Sequence, residues 1–302
     1  MKSILRTIFF LLLFFSALTG RAQEAGMSFP VASGAQLVLI SDQFSFTEGP
    51  AADQQGNVFF TDQPNNKIWK YATDGTLSVF KDHAGRSNGL FFTAEGDLIA
   101  CADEHNQLWS ISPQGDVNVL LRDFRGKALN GPNDAWVSPN GNIYFTDPYY
   151  QRDYWTRTRP ELEKEAVYLL RRGDSQPLVL DESMRRPNGI IGSADGRFLY
   201  VADRVGNKTY RYSVKKDGTL KDKTLFADEG SDGMTMDNRG NVYLTGDGVA
   251  VYNRDGVKIL HIPVPAKWTA NVCFGGPDGD WLFITASQFL YKLKMQVRAN
   301  GR

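Results

Sequence analysis

Six polar residues of the chain share one register. Glu48, Asn88, Asn133, Asn188, Asp232 and Asn271 each stand eight positions before a glycine: Gly56, Gly96, Gly141, Gly196, Gly240 and Gly279 respectively. All six carry a side-chain oxygen, and four are followed directly by glycine (Glu48-Gly49, Asn88-Gly89, Asn188-Gly189 and Asp232-Gly233). If the fold gathers them in one place, buried carboxylates and amides without partners are costly, and a cation removes that cost. Glu48 and Asp232 balance a divalent charge, and the amide oxygens of Asn133 and Asn188 complete an oxygen-only shell. Such a shell suits a hard cation, Ca²⁺ first, with Mg²⁺, Mn²⁺ or Zn²⁺ as alternatives. Asn88 and Asn271 also suit the tight turn before a strand, so they are candidate substrate contacts rather than ligands.

The glycines belong to a repeat. Six stretches join a polar turn to a β-rich run: DQQGNVFFTD (53–62), TAEGDLIACAD (93–103), SPNGNIYFTD (138–147), SADGRFLYVAD (193–203), DNRGNVYLTG (237–246) and GPDGDWLFITA (276–286). Their glycines are 40, 45, 55, 44 and 39 residues apart. Asp, Asn or Ser supports each turn and Gly supplies its positive φ. The near-continuous apolar runs that follow predict strands buried on both faces. Each turn is followed by a second pattern, as in KIWKYATDGTLSVF (67–80) or GVAVYNRDGVKIL (248–260), which reads as strand, Asp/Gly turn and strand. Four strands per repeat, six times over, predict an all-β, six-bladed β-propeller with four-stranded blades. The sixth copy stops after three strands, so AQLVLI (35–40) is expected to supply the fourth and close the ring. Helical signal is confined to PELEKEA (160–166), one or two turns at most. In a propeller, equivalent positions of the blades lie on one ring about the axis. The register above therefore places all six oxygen side chains at one end of the central channel.

The chain opens with MKSILRTIFFLLLFFSALTGRAQ. Its basic start, apolar run and small residues at Gly20 and Ala22 read as a signal peptide over 1–22, followed by a single propeller domain over 23–302. The expected location is periplasmic or secreted. With 34 basic and 34 acidic residues the formal net charge is zero, so nothing argues for nucleic acid or, after signal cleavage, for a membrane surface. Cys101 and Cys273 are too few for a disulfide framework and lie in or beside apolar runs, so two buried thiols are expected.

The stretches FTEGP, GPND, RPNG, SDGMTMD and NVCFGGPDGDWLFITA together resemble the SMP-30/gluconolactonase family of six-bladed propellers. The resemblance covers essentially the whole chain after the signal segment. It implies a single divalent metal held by Glu48, Asn133, Asn188 and Asp232. Some family members place an Arg two residues before the asparagine of the ND pair for sugar recognition; this chain has Gly131 there, so that contact is not carried over. The family also includes phosphotriesterase-like and other lactonase activities on the same ligand set.

Other chemistries find little support. His83, His105 and His261 form no H-E-x-x-H, and no C-x-x-C occurs. Were a histidine to act, His83 comes first, because it precedes the Asn88 loop. No G-x-S-x-G elbow or dinucleotide fingerprint is present, which disfavours a covalent serine mechanism. The longest spacing marks an insertion, PYYQRDYWTRTRPELEKEA (148–166), rich in aromatic and basic residues. Tyr149, Tyr150 and Trp155 from it, and Trp268 near Asn271, are expected as walls of a substrate pocket. The expected activity is metal-dependent opening of a small-molecule, sugar-derived lactone, with Asp232 as general base and Asp134 supporting the metal shell or touching substrate. The competing readings are phosphoester cleavage at the same site, a non-catalytic sugar-binding propeller and a protein-interaction propeller. The sequence does not set the oligomeric state.

Overall fold

The structure is a computed structural model that describes residues 29–301; the expected signal peptide, 1–22, lies outside the described residues. Strand β1 (Val38–Ser41) precedes the first complete blade. Blade 1 is β2 (Thr47–Ala52), β3 (Val58–Asp62), β4 (Lys67–Tyr71) and β5 (Leu77–Asp82). Blade 2 is β6 (Leu90–Phe92), β7 (Leu98–Ala102), β8 (Gln107–Ile111) and β9 (Val117–Leu121). Blade 3 is β10 (Ala135–Val137), β11 (Ile143–Asp147), β12 (Ala166–Leu170) and β13 (Leu178–Asp181). Blade 4 is β14 (Pro187–Gly192), β15 (Phe198–Asp203), β16 (Lys208–Val214) and β17 (Leu220–Ala227). Blade 5 is β18 (Met234–Met236), β19 (Val242–Gly246), β20 (Gly248–Tyr252) and β21 (Lys258–Ile262). Blade 6 is β22 (Thr269–Gly275), β23 (Trp281–Ala286) and β24 (Phe289–Lys294), completed by β1. Every sheet is antiparallel and four-stranded.

The six turn glycines all have positive φ, from +66° to +95°, as the turn chemistry requires. The strands that follow them, such as VFFTD in β3 and IYFTD in β11, are buried along their whole length, whereas β5 and β13 at the rim are mostly exposed or half-buried. The second strand of each blade is thus a core strand, which is why it reads as an apolar run and not as an alternation. Ring closure occurs as expected, with a shifted boundary. The closing strand is Val38–Ser41 and not 35–40, because Ala35 donates its N–H to Ala32 O in a turn (3.0 Å) and a bulge lies between Leu39 and Ser41. Among the described residues there is no helix, and 160–165 runs as bends before β12. Cys101 and Cys273 are buried and not joined in a disulfide.

Neighbouring blades meet most tightly beside the axis. A Cβ on Gly49, whose φ is +37°, would lie 2.1 Å from Asn88 O, and one on Gly233 would lie 1.9 Å from Asn271 Cγ. In the four copies that have it, the glycine after the ring residue is therefore a packing requirement: the next blade's backbone or ring residue sits where a side chain would be. The two copies that lack it, Asn133-Asp134 and Asn271-Val272, belong to blades 3 and 6, which face each other across the axis. Gly49→Ala must push the Asn88 backbone away or strain φ, so we expect a loss of about 2–4 kcal/mol in chemical denaturation with a propeller circular-dichroism spectrum retained.

Candidate active site at one mouth of the channel

Five of the six ring residues line one cavity of about 390 Å³: Glu48, Asn88, Asn133, Asn188 and Asp232. Each is set by the loop that enters, or by the first residues of, an innermost strand. Hydroxyls of the second strands hold this backbone in place. Thr61 Oγ1 donates to Asn88 O (3.1 Å), Thr146 Oγ1 accepts from Asp134 N (3.2 Å) and Thr245 Oγ1 accepts from Gly233 N (2.8 Å). The aspartate that ends several second strands works alongside. Asp62 accepts from Ser45 N and Phe46 N (3.1 and 3.2 Å), Asp147 from Asn130 N and Gly131 N (2.9 and 2.8 Å), and Asp203 from Arg185 N (3.2 Å). Those donors lie two or three residues before Glu48, Asn133 and Asn188. The signal for this device is the Asp that closes the VFFTD, IYFTD and FLYVAD runs.

The sixth residue, Asn271, turns away from the cavity. Its Nδ2 donates to Asp134 Oδ2 (3.4 Å), linking blade 6 to blade 3 across the axis. Both line a second chamber of about 330 Å³ on the far side, walled by Phe91, Trp136, Met234 and Met236 among others. Asp134 and Asn271, expected at the substrate pocket, thus line the far chamber and not the cavity that holds Glu48. Burial pushes the Asp134 carboxyl up to about 7.

Charge is concentrated in the cavity. Burial, and next the nearby Asp232 charge, raise the Glu48 carboxyl well above the usual range. Asp232 is also raised by burial, opposed by the hydrogen bonds it accepts. Its Oδ1 accepts from Asn188 Nδ2 (2.8 Å) and its Oδ2 from Trp268 Nε1 (2.5 Å). Asn188 Nδ2 also reaches the Tyr150 hydroxyl (3.2 Å), while Asn188 Oδ1 is buried with no hydrogen-bond partner. Two carboxylates opposed at close quarters, beside an orphaned amide oxygen, are what a divalent cation would satisfy. Among the described residues no group of three or more His, Cys, Asp or Glu side chains gathers in metal-holding geometry, so a cation here would depend on amide oxygens as well as on Glu48 and Asp232.

Tyr150 and Trp268 line the cavity, as do Phe46, Gln63, Arg152, Arg186, Arg204 and Val205. Tyr149 and Trp155 do not. The Tyr149 hydroxyl donates to Gln151, and Trp155 Nε1 donates to Asp103 O (2.8 Å) while its ring stacks on the Arg157 guanidinium (4.1 Å). The 148–165 insertion is bolted to blade 2 through Asp103, which accepts from Arg152 Nε (2.7 Å), Tyr154 OH (2.5 Å) and Gln63 Nε2 (3.1 Å). This explains Gly131: a Cβ there would meet Asp103 Oδ1 at 2.8 Å and the Trp155 ring at 3.0 Å, so an arginine has no room. His83 and His261 are exposed, His105 stacks on Trp109, and none of the three lines the cavity.

Asp147, the anchor of the loop that delivers Asn133, supplies a test. Burial raises its carboxyl from 3.8 to about 7. Below about pH 4 both folded and unfolded chains hold the proton and the burial costs nothing. As pH rises from there to 7 the unfolded chain loses the proton first, so stability falls, and the full cost stands above pH 7. Asp147→Asn removes that slope. The variant should gain on the parent by a few kcal/mol between pH 4.5 and pH 8, on the order expected for a shift of this size, as read by urea denaturation at the two pH values.

Comparison with known proteins places this architecture. Residues 46–288 match the family model described as the SMP-30/Gluconolactonase/LRE-like region. A gluconolactonase of Zymomonas mobilis is 27% identical over 290 residues, covering 86% of this chain and 81% of the relative. A diisopropyl-fluorophosphatase of Loligo vulgaris is 26% identical over 291 residues, covering 87% and 92%. Among solved structures, a gluconolactonase of Xanthomonas campestris superposes with a TM-score of 0.82 at 29% identity, covering 88% of this chain and 91% of that one. The chain belongs to the SMP-30/gluconolactonase/LRE-like family.

Proposed function

We propose that the protein is an exported, metal-dependent lactonase that opens a sugar-derived lactone. The observation that carries this reading is the pairing of Glu48 with Asp232 beside the partnerless Oδ1 of Asn188 in the channel mouth. The similarity to gluconolactonases supports the substrate class.

Glu48, Asn133, Asn188 and Asp232 would hold the metal. Their all-oxygen donor set favours a hard cation, Ca²⁺ first. Bound there, a divalent ion supplies Lewis-acid polarisation of a carbonyl and makes water a better nucleophile. The chain's own residues supply the rest. Asp232 acts as general base: it takes a proton from the water whose oxygen bonds to the lactone carbonyl carbon. It then returns that proton to the ring oxygen as the C–O bond breaks, leaving a hydroxy acid. The Trp268 N–H fixes the Asp232 carboxylate and favours its charged form. Glu48 is buried and anchors the positive charge. Tyr150 and Trp268 give the cavity aromatic walls, and Asn88, whose side chain makes no hydrogen bond among the described residues, offers an amide to the hydroxyls of a sugar.

A second reading, cleavage of a phosphotriester or phosphofluoridate at the same centre, is favoured by the similarity to the diisopropyl-fluorophosphatase. A lactone panel run in parallel with a phosphotriester separates the two, and binding of a lactone without turnover would indicate a sugar-binding propeller.

Exhaustive chelation of the purified protein should abolish lactone hydrolysis, and add-back of Ca²⁺ or another divalent ion should restore it; hydrolysis that survives chelation would sink the mechanism. Asp232→Asn should lower kcat by about 10²–10⁴-fold while the thermal melt stays cooperative, since a general base contributes on that scale. Parent-like turnover in that variant would remove Asp232 from the role.

A further inference from the structure

Two guanidinium groups in the cavity, those of Arg186 and Arg204, make no ion pair or hydrogen bond among the described residues. Arg152, the third arginine of the cavity, is different because its Nε is committed to Asp103 at 2.7 Å. The backbone that carries the other two is fixed, while Arg186 is exposed and Arg204 half-buried. Arg204 N donates to Arg186 O (3.2 Å), so the two residues spring from hydrogen-bonded backbone. Arg186 N donates to Glu165 Oε2 (2.6 Å), and Arg186 is held at φ +55°, a left-handed conformation that a non-glycine residue keeps only when its surroundings enforce it.

Each guanidinium also lies over a ring of the site. Arg186 stacks over Tyr150 (4.9 Å to the ring centroid) and Arg204 over Trp268 (4.7 Å). Those two rings are the ones hydrogen-bonded to Asn188 and Asp232. The arginines therefore sit one aromatic layer from the reacting centre, with their in-plane N–H donors unspent. A stacked guanidinium keeps those donors for a planar or tetrahedral oxyanion. The charge balance points the same way. With a divalent cation bound, Glu48 and Asp232 would be balanced by it, and Asp103 balances Arg152, so Arg186 and Arg204 would be the lining charges left over. Arg204, whose charge otherwise lowers the Asp232 carboxyl, would then be released for an anion.

We propose that Arg186 and Arg204 form an oxyanion subsite, so that the preferred lactone carries a second, negatively charged group: a carboxylate, phosphate or sulfonate away from the ring carbonyl. This rests on the lactonase reading above.

The test compares kcat/KM for a neutral aldonolactone with that for lactones bearing a carboxylate, a phosphate or a sulfonate. The parent should prefer at least one anionic lactone by about tenfold or more, and rising salt should erode that preference through KM. Arg186→Gln and Arg204→Gln should each lower the anionic-to-neutral ratio by about tenfold, again through KM, with Arg204→Lys recovering part of it. A parent ratio near or below one, or a ratio unmoved by both variants, overturns the subsite. Which anion gains most identifies the substituent. If no lactone is turned over, the lactonase reading fails, and the subsite is judged by calorimetry on the full chain with glucose 6-phosphate against glucose. Tighter binding of the phosphate, lost in the double variant, keeps the subsite; equal binding of the two overturns it.

Discussion

The structure depends on how closely six strands approach one axis. In four of the six blades there is no room for a side chain between the ring residue of one blade and that of the next, and Gly49, Gly89, Gly189 and Gly233 mark those contacts. The constraint does two things at once. It locks the blades in register, and it forces the one side chain per blade that precedes the glycine into the channel. A set of polar oxygens is then presented at a common height without any element built for the purpose. Second-strand hydroxyls and aspartates, such as Thr245 and Asp147, hold the backbone that carries them. The candidate site is in this sense a by-product of closing the ring.

Its electrostatics follow from the same crowding. Glu48 and Asp232 are both buried, burial makes each harder to ionise, and the Asp232 charge adds to that for Glu48. Arginines answer from the rim: Arg152 lowers both carboxyls and Arg204 lowers Asp232. The cavity therefore has an acidic floor and a basic lip. Tyr150 and Trp268 separate the two layers and touch both.

Much of this was legible in the chain because it repeats. The blades, the turn glycines and the positions of Glu48, Asn133, Asn188 and Asp232 emerged from one offset counted six times. What failed to repeat was harder to read. Asn271 keeps the offset, yet its amide turns to Asp134, because blades 3 and 6 lack the small residue that elsewhere keeps the axis clear. Arg186 and Arg204 occur in one blade only, in loops between strands, and carry no periodic signal. The insertion announced itself as aromatic and basic, but composition does not say which rings face inward: Tyr150 does, whereas Tyr149 and Trp155 are spent on pinning the loop. The closing strand was recognisable by its type, and its start moved because a turn holds Ala35 to Ala32 ahead of Val38.

The bond between Asn271 and Asp134 has a consequence for the two hollows of the ring. It spans the axis, and its two residues line the far chamber and not the cavity of Glu48, so a donor and an acceptor from opposite blades stand between the two. On the lactonase reading, a ring-opened hydroxy acid leaves with one negative charge more than it brought, from a cavity that Arg152, Arg186 and Arg204 help to line.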